Sequence, residues 1–412
     1  MMNILYHHRS RGEKAEGIHI SEVVKALRQL GNFVYLVCPL GIGWNHPGCA
    51  EKAADSSRRR SFLSKLKNNL PVLFFRLLEI GYNFFDIIRL YRVIKKIKPD
   101  FIYSRYALFT FSSVLCARLM RIPIILEVNT PYAHAWKQYD TMYFFHLACI
   151  IEKWCLKNAT HLITVTGPLK NFVSYQYQVP PAKISVMHNG VDLNVFGMEK
   201  ADPESIRRKY NLPDVPTVGF IGALRKWHGI DLLIENTLRV IEECPEAQFV
   251  IVGEGELEEE YKNFVSDHNL FEKIIFTGFI PHEDVPGMIA TMDIGLMPNS
   301  NAYGSPMKVF EYMAMQKPVI APMIPTLEEI VDNGYNGILF DPSKSENLGQ
   351  SIIQLLKNES LRKLMGERAQ QKIINQFTWM NNGKGILEIY HRLSLWSIPN
   401  RSKALNRASS RR

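Results

Sequence analysis

The stretch of this 412-residue chain best equipped for chemistry is 303–318, YGSPMKVFEYMAMQKP. Gly304-Ser305-Pro306 is a turn that can open a helix, and proline suits a helix's first turn. A helix over 307–315 then starts beside Lys308. Exposed N–H groups, the positive end of the helix dipole and a cation together make an anion site. Glu311 follows Met307 by four residues, one turn further along the same face. A carboxylate there cannot hold phosphate, but it accepts hydrogen bonds from sugar hydroxyls. Phosphate donors and a hydroxyl acceptor one turn apart suit a sugar nucleotide. The same residues also suit an amphipathic helix with an ordinary surface glutamate, and spacing alone leaves both readings open.

Other chemistries lack their residues. The chain has no complete G-x-G-x-x-G, no G-x-x-x-x-G-K-[ST], no H-E-x-x-H and no G-x-S-x-G. A nicotinamide enzyme and a P-loop enzyme are therefore unsupported. The six cysteines form no C-x-x-C pair, which argues against a zinc ribbon or a disulfide scaffold and fits a reducing cytosol. The start, MMNILYHHRS, does not read as a secretory signal, and no stretch approaches the roughly 20 apolar residues that span a bilayer. Apolar residues make up 46% and charged residues 22%, which excludes disordered, collagen-like and coiled-coil classes.

The elements that must position these residues follow a repeated pattern. A short apolar strand at 3–6, a polar stretch from His7 to Gly17, a helix at 18–30 and a strand at 33–37 open a doubly wound α/β sheet. Strands at 100–104, 122–128, 159–165 and 183–187 complete it. The pattern restarts with strands at 217–221, 248–252, 273–277, 294–297 and 317–321, and with helices at 229–241, 348–357 and 361–376. Two α/β domains in tandem are expected. The first runs over 1–195 and is completed by a C-terminal helix at 377–396. The second covers 196–376, and a basic tail occupies 397–412. His7, His8, Tyr103 and Tyr106 fall at strand ends, where open sheets bind ligands.

Segment 58–98 interrupts the first domain. It holds eleven Lys or Arg against Glu79 and Asp86, and so carries the whole chain's net charge of +9. Within it Phe74, Leu77, Leu78, Gly81, Phe84, Phe85, Ile88 and Tyr91 recur at helical spacing. An anionic membrane, nucleic acid and plain solvent are the three surroundings such a stripe fits.

Taken together, several stretches resemble the large retaining glycosyltransferase family 4, which has the two-domain GT-B fold. KISVMHNGVDLNVF (183–196) looks like the family's segment before the linker. FIGALRKWHGI (220–230) is similar to its first glycine loop of the second domain, and VGEG (252–255) to its V-G-x-G turn. Residues 276–279 with 293–298, and 327–337 with 339–342, match later motifs. FTWMNNGKGILEIY (377–390) resembles the closing helix.

The resemblance implies two Rossmann-like domains facing a cleft, with a nucleotide-diphosphate sugar held by the second and the acceptor by the first. It also implies retention of anomeric configuration without a metal or other cofactor. Donor-binding positions would be Gly17, Gly222, Arg225, Lys226, Gly253, Tyr303, Ser305, Pro306, Met307, Lys308 and Glu311. Asn129, His134, Arg225 and Lys308 would serve catalysis. Three places depart from the family pattern: Tyr303 stands where a carboxylate is usual, and Ala223 and His228 where Arg and Lys are. The expected partners are the nucleotide sugar, a glycan or lipid-linked glycan acceptor and an anionic membrane surface, with no nucleic acid. The expected location is cytoplasmic, peripheral on the inner face of the plasma membrane. Two other classes remain: an epimerase-like GT-B enzyme, and a non-catalytic sugar-nucleotide or polyanion binder, which Tyr303 keeps open.

Overall fold

A computed structural model describes residues 1–9, 14–38, 41–43, 72–139 and 143–409. Glu13 and the basic stretch 58–71 lie outside the described residues. The chain divides into two compact units, one formed by 1–165, 169–188 and 379–412, the other by 166–168 and 189–378.

The first unit is built on a seven-stranded sheet. Its strands are β1 (Asn3–His7), β2 (Phe33–Cys38), β3 (Gly41–Gly43), β4 (Phe101–Arg105), β5 (Ile124–Val128), β6 (His161–Thr164) and β7 (Ile184–Val186). Their order is β3-β2-β1-β4-β5-β6-β7, all parallel except the short edge strand β3. Runs such as IILEV are buried along their whole length, as expected for parallel strands covered on both faces. The second unit carries β8 (Thr217–Ile221), β9 (Gln248–Val252), β10 (Ile274–Gly278), β11 (Ile294–Leu296), β12 (Val319–Pro322) and β13 (Gly337–Phe340), ordered β10-β9-β8-β11-β12-β13. Its core has two halves. Val250 and Val252 of β9 point into one, and Phe249 and Ile251 into the other, as the two-residue period of a strand requires. In both sheets strand order reverses at the centre, between β1 and β4 and between β8 and β11. In open α/β sheets, ligands bind in the crevice outside the carboxyl ends of the strands at such a point.

Four expectations are corrected. The first helix begins at Lys14, not at 18. Lys14, Ala15 and Glu16 are good helix formers, and Glu16 sits favourably in the first turn. Gly17, expected at the end of the polar stretch before the helix, is therefore a helical residue. The division between units falls after His188 and not at 195, because Asn189 bonds to Ser305 and Val191 bridges to Thr378, both in the second unit. The closing helix runs Trp379–Ser409, through most of the stretch expected as a tail. Helices Tyr132–Tyr139 and Phe145–Asn158 were not anticipated.

The helix Val72–Ile97 packs in an unusual sense. Leu90, Val93, Ile94 and Ile97 are buried near its C-terminal end, but further up its buried positions are polar. Asn83 and Asp86 are wholly inaccessible, while Phe84 and Phe85 are 67% and 61% exposed. Asn83 donates to the carbonyl of Phe109 and accepts from the N–H groups of Phe111 and Ser112. Asp86 bonds His7 Nε2 at 2.9 Å and accepts from Ser112 Oγ at 2.6 Å and from Arg89 at 2.8 Å. His7 Nδ1 in turn meets Ser104 Oγ at 3.1 Å. Serine, histidine and aspartate thus adjoin, but His7 is fully buried, so the group locks the helix to β1 and does no chemistry.

Candidate active site

In the second unit the loops leaving β8, β9 and β10 interlock. Gly222 N–H donates to the Val252 carbonyl, and Gly253 N–H to that of Gly278, each at 2.9 Å. Both glycines have positive φ, +155° and +126°, and a Cβ on Gly253 would collide with the Gly222 carbonyl. Only glycine fits there without displacing the neighbouring loop.

Above this platform stands the helix Met307–Ala314, with Pro306 as its N-cap in an extended conformation. Its start is held from both sides. Asn189 donates its backbone N–H to Ser305 Oγ and its side-chain amide to the Ser305 carbonyl at 2.7 Å, and the Ile221 N–H donates to the buried Tyr312 hydroxyl at 2.7 Å. The first-turn N–H groups of a helix have no partner within it. Lys308 lies among them and reaches back over the β8 loop. Its ammonium lies 4.1 Å from the centroid of the Phe220 ring, against Gly222. It is buried and has no hydrogen-bond partner among the described residues. Burial lowers its pKa to about 7, with Glu311 opposing the shift. Glu311, one turn on, is pushed up to about 7 by burial, with Lys308 opposing. A buried cation with no bonding partner costs free energy that an incoming anion can recover.

The remaining expected donor residues are more loosely placed. Tyr303 is half-buried; its carbonyl accepts from Thr166 Oγ1 at 2.8 Å. Arg225 and Lys226 are exposed at a 3₁₀ turn, with the Arg225 guanidinium 4.7 Å from the centroid of the Trp227 ring. His228 is held by the Ala223 carbonyl, and burial, with Lys308 and Arg225 nearby, lowers its pKa to about 4. It is therefore neutral at pH 7 and cannot act as a cation for phosphate.

The first unit gathers a different set at the ends of β4 and β5. Glu127 accepts from Arg105 at 2.7 Å, from the Tyr103 hydroxyl at 2.5 Å and from the Asn129 amide at 2.5 Å. Burial opposes its charge, but His19, Arg105 and these hydrogen bonds outweigh burial and hold the carboxyl below its usual range. Arg105 also donates to His19 Nδ1 at 2.7 Å, and burial lowers the His19 pKa to about 4, so the imidazole is the neutral acceptor. Asn129 therefore already bonds Glu127. His134 stands apart, ringed by Phe145, Phe172 and Tyr177 and bonded to the Tyr177 hydroxyl at 3.2 Å. Tyr177 donates onward to Glu152, whose carboxyl burial pushes up to about 7.

The sequence reading missed the Glu127–Arg105–His19–Tyr103 group. Its one signal was a lone acid in the apolar run IPIILEV. The structural roles of Asn189 and Tyr312 were also missed, although both lie within motifs already noted.

Comparison with known proteins identifies the family. The family model described as "Glycosyl transferases group 1" matches residues 202–372, and that described as "Glycosyltransferase Family 4" matches 17–195. An alpha-D-kanosaminyltransferase of Streptomyces kanamyceticus is 22% identical over 293 residues, 69% of this chain and 74% of that protein. The UDP-Gal:alpha-D-GlcNAc-diphosphoundecaprenol alpha-1,3-galactosyltransferase of Escherichia coli is 25% identical over 345 residues, 82% of this chain and 84% of that protein. Among solved structures, Anabaena HepE in complex with UDP superposes with a TM-score of 0.70 at 17% identity, covering 95% of this chain and 100% of the other. Sucrose-phosphate synthase from Thermosynechococcus elongatus gives 0.70 at 17%, covering 96% and 100%. These two structures share the fold. The chain belongs to the group 1, family 4 glycosyltransferases of the GT-B fold and is an enzyme of glycosyl transfer.

Proposed function

We propose that this enzyme moves a sugar from a nucleoside-diphosphate sugar, bound by its second unit, to a glycan or lipid-linked glycan taken by its first, with retention of anomeric configuration and without a metal. One observation carries the donor half: the buried Lys308 ammonium, without a hydrogen bond among the described residues, at the start of a helix facing the Gly222 loop. Lys308 and the helix N-terminus receive the diphosphate, and Glu311 accepts hydrogen bonds from the ribose hydroxyls. Charge grows on the diphosphate as the glycosidic bond breaks. These donors, assisted by Arg225 and Lys226, stabilise that charge. The departing phosphate takes the acceptor's proton on the face of attack. Gly222 and Gly253 keep the loops close enough for backbone contact. Asn129, fixed by Glu127, orients the transferred sugar.

The acceptor class draws on one relative, which is named for transfer to a GlcNAc-diphosphoundecaprenol. A peripheral position at the inner face of the plasma membrane accords with a lipid-linked acceptor. Among the described residues no helix is long and apolar enough to cross a membrane.

The first test is a thermal-shift screen with UDP, GDP, ADP and their sugars. A ligand that binds only the folded state raises its apparent stability, by about 2.7 kcal/mol at a hundredfold excess over Kd. One nucleotide should stand out, and the purified enzyme should slowly hydrolyse the matching sugar nucleotide. Binding without hydrolysis or transfer would indicate a non-catalytic binder. No response to any nucleotide would overturn the donor reading.

A further inference from the structure

The helix Val72–Ile97 turns its apolar stripe outward. Phe74, Leu77, Phe84, Phe85, Ile88 and Tyr91 are all exposed and run along most of its length. This is no accident of a loosely held helix, because Asn83 and Asp86 bind the opposite side into the first unit through buried hydrogen bonds. Rolling the helix to bury its aromatic residues would strand both polar groups, so the outward apolar face is built in.

A second helix extends the apolar surface. Tyr143, Phe144, Leu147 and Ile150, at and before the start of helix Phe145–Asn158, are exposed as well. Ile80 from the first helix and Cys149 and Ile151 from the second pack on one small cluster around Phe109, which makes the two helices neighbours. An apolar face drawn from two elements is larger than the scattered exposed side chains of an ordinary surface.

Charge selects the occupant. Arg92, Lys95, Lys96 and Lys98 are exposed at the C-terminal end of the first helix, and Lys95 lies over the Tyr91 ring. Among the described residues the two acids of this helix do not offset them: Asp86 is buried against His7 and Arg89, and Glu79 is paired with Arg76. Aromatic and aliphatic side chains on one face, with a band of Lys and Arg beside them, fit a bilayer interface that carries negative headgroups.

We infer that this two-helix face seats the first unit on an anionic lipid surface, with the aromatic side chains entering the headgroup region and Arg92, Lys95, Lys96 and Lys98 contacting the anionic headgroups. The inference rests on the surface alone and does not need the donor reading.

Vesicle co-sedimentation of the full chain tests it, using phosphatidylcholine vesicles with and without about 30% phosphatidylglycerol, at about 0.05 M and 0.5 M salt. The expected result is binding to the acidic vesicles that weakens at high salt. Leu77→Glu/Phe84→Glu should lower the bound fraction at least tenfold at both salt concentrations. Lys95→Glu/Lys96→Glu should lower it at low salt only. Both variants alter exposed positions, and a melting temperature close to wild type shows that they fold. Wild-type protein remaining in the supernatant with acidic vesicles at low salt overturns the inference. So does wild-type binding by the Leu77→Glu/Phe84→Glu variant. Light scattering that shows a dimer lost in that variant, without vesicle binding, assigns the face to a second copy of the chain instead.

Discussion

The carboxylates Glu127 and Asp86 of the first unit and the Lys308–Glu311 pair of the second show buried charge treated in opposite ways. In the first, Glu127 has three hydrogen-bonding partners and Asp86 has His7, Ser112 and Arg89 around it. Each carboxylate is held below its ordinary pKa by what surrounds it. In the second, burial pushes Lys308 down and Glu311 up, each to about 7, and the Lys308 ammonium has no hydrogen bond among the described residues. A buried group that the protein satisfies is architecture. One left unsatisfied is a cost to the fold that a bound anion would remove, as the proposed donor site requires. The predictions that follow probe that division, in falling order of expected effect.

Asp86→Ala should be the most damaging to stability. Removing one partner of a buried charge pair costs about 3–5 kcal/mol, so the melting temperature should drop by several degrees. Asp86 sits below its unfolded pKa because His7, Ser112 and Arg89 outweigh burial. Its stabilisation is therefore full above about pH 4 and fades as pH falls below that value. Nucleotide affinity of the folded fraction should not change. A melting temperature equal to wild type would remove Asp86 from the architecture.

Glu311→Ala should do the reverse. It should cost about 1.5–3 kcal/mol of donor affinity, roughly tenfold or more in Kd. Stability should hold or rise slightly at pH 7, since a carboxyl with a raised pKa is itself a burden on the fold. Calorimetric titration with the preferred nucleotide reads the first effect and thermal melting the second. Intact affinity, or a large stability loss, would place Glu311 with the structural carboxylates.

Lys308 gives a pH signature. With its pKa at about 7 it is mostly neutral at pH 8 in the free enzyme, and a bound diphosphate favours the charged form. Donor binding at pH 8 should take up close to one proton, and affinity should fall between pH 7 and 9 by up to about tenfold per unit. Titrations in buffers of differing ionisation enthalpy measure the uptake. Identical apparent enthalpies in all of them would mean that the amine does not meet the phosphate.

The smallest effect is expected from Arg225→Ala. This side chain is exposed over Trp227 and not buried. Turnover should fall a few-fold to about tenfold, with ground-state donor affinity nearly unchanged, because the charge it meets develops in the transition state. Steady-state kinetics separate the two. Wild-type turnover would transfer the role to Lys226.

The second unit's candidate site was more legible than the first unit's, for a reason visible in particular residues. Gly222, Gly253, Ser305, Lys308 and Glu311 sit in short motifs whose loop and helix geometry is local. The first unit's polar groups act across long stretches of chain. His7 meets Asp86 79 residues away, and Tyr103 meets Glu127 24 residues away. No spacing rule reaches that far. The same distance hid the true place of His134, which nearness to Asn129 in sequence suggested for the site and which packing put into an aromatic wall.

Periodicity along the chain determined the two α/β units, most of their strands and the helix start that carries Lys308, because hydrogen bonding and side-chain period are settled within a few residues. It also marked the apolar stripe of 74–91. Which way that stripe faces was decided only in three dimensions. Asn83 and Asp86 found their partners on β1 and on the chain leaving β4, and satisfying two buried polar groups outweighed burying the aromatic face.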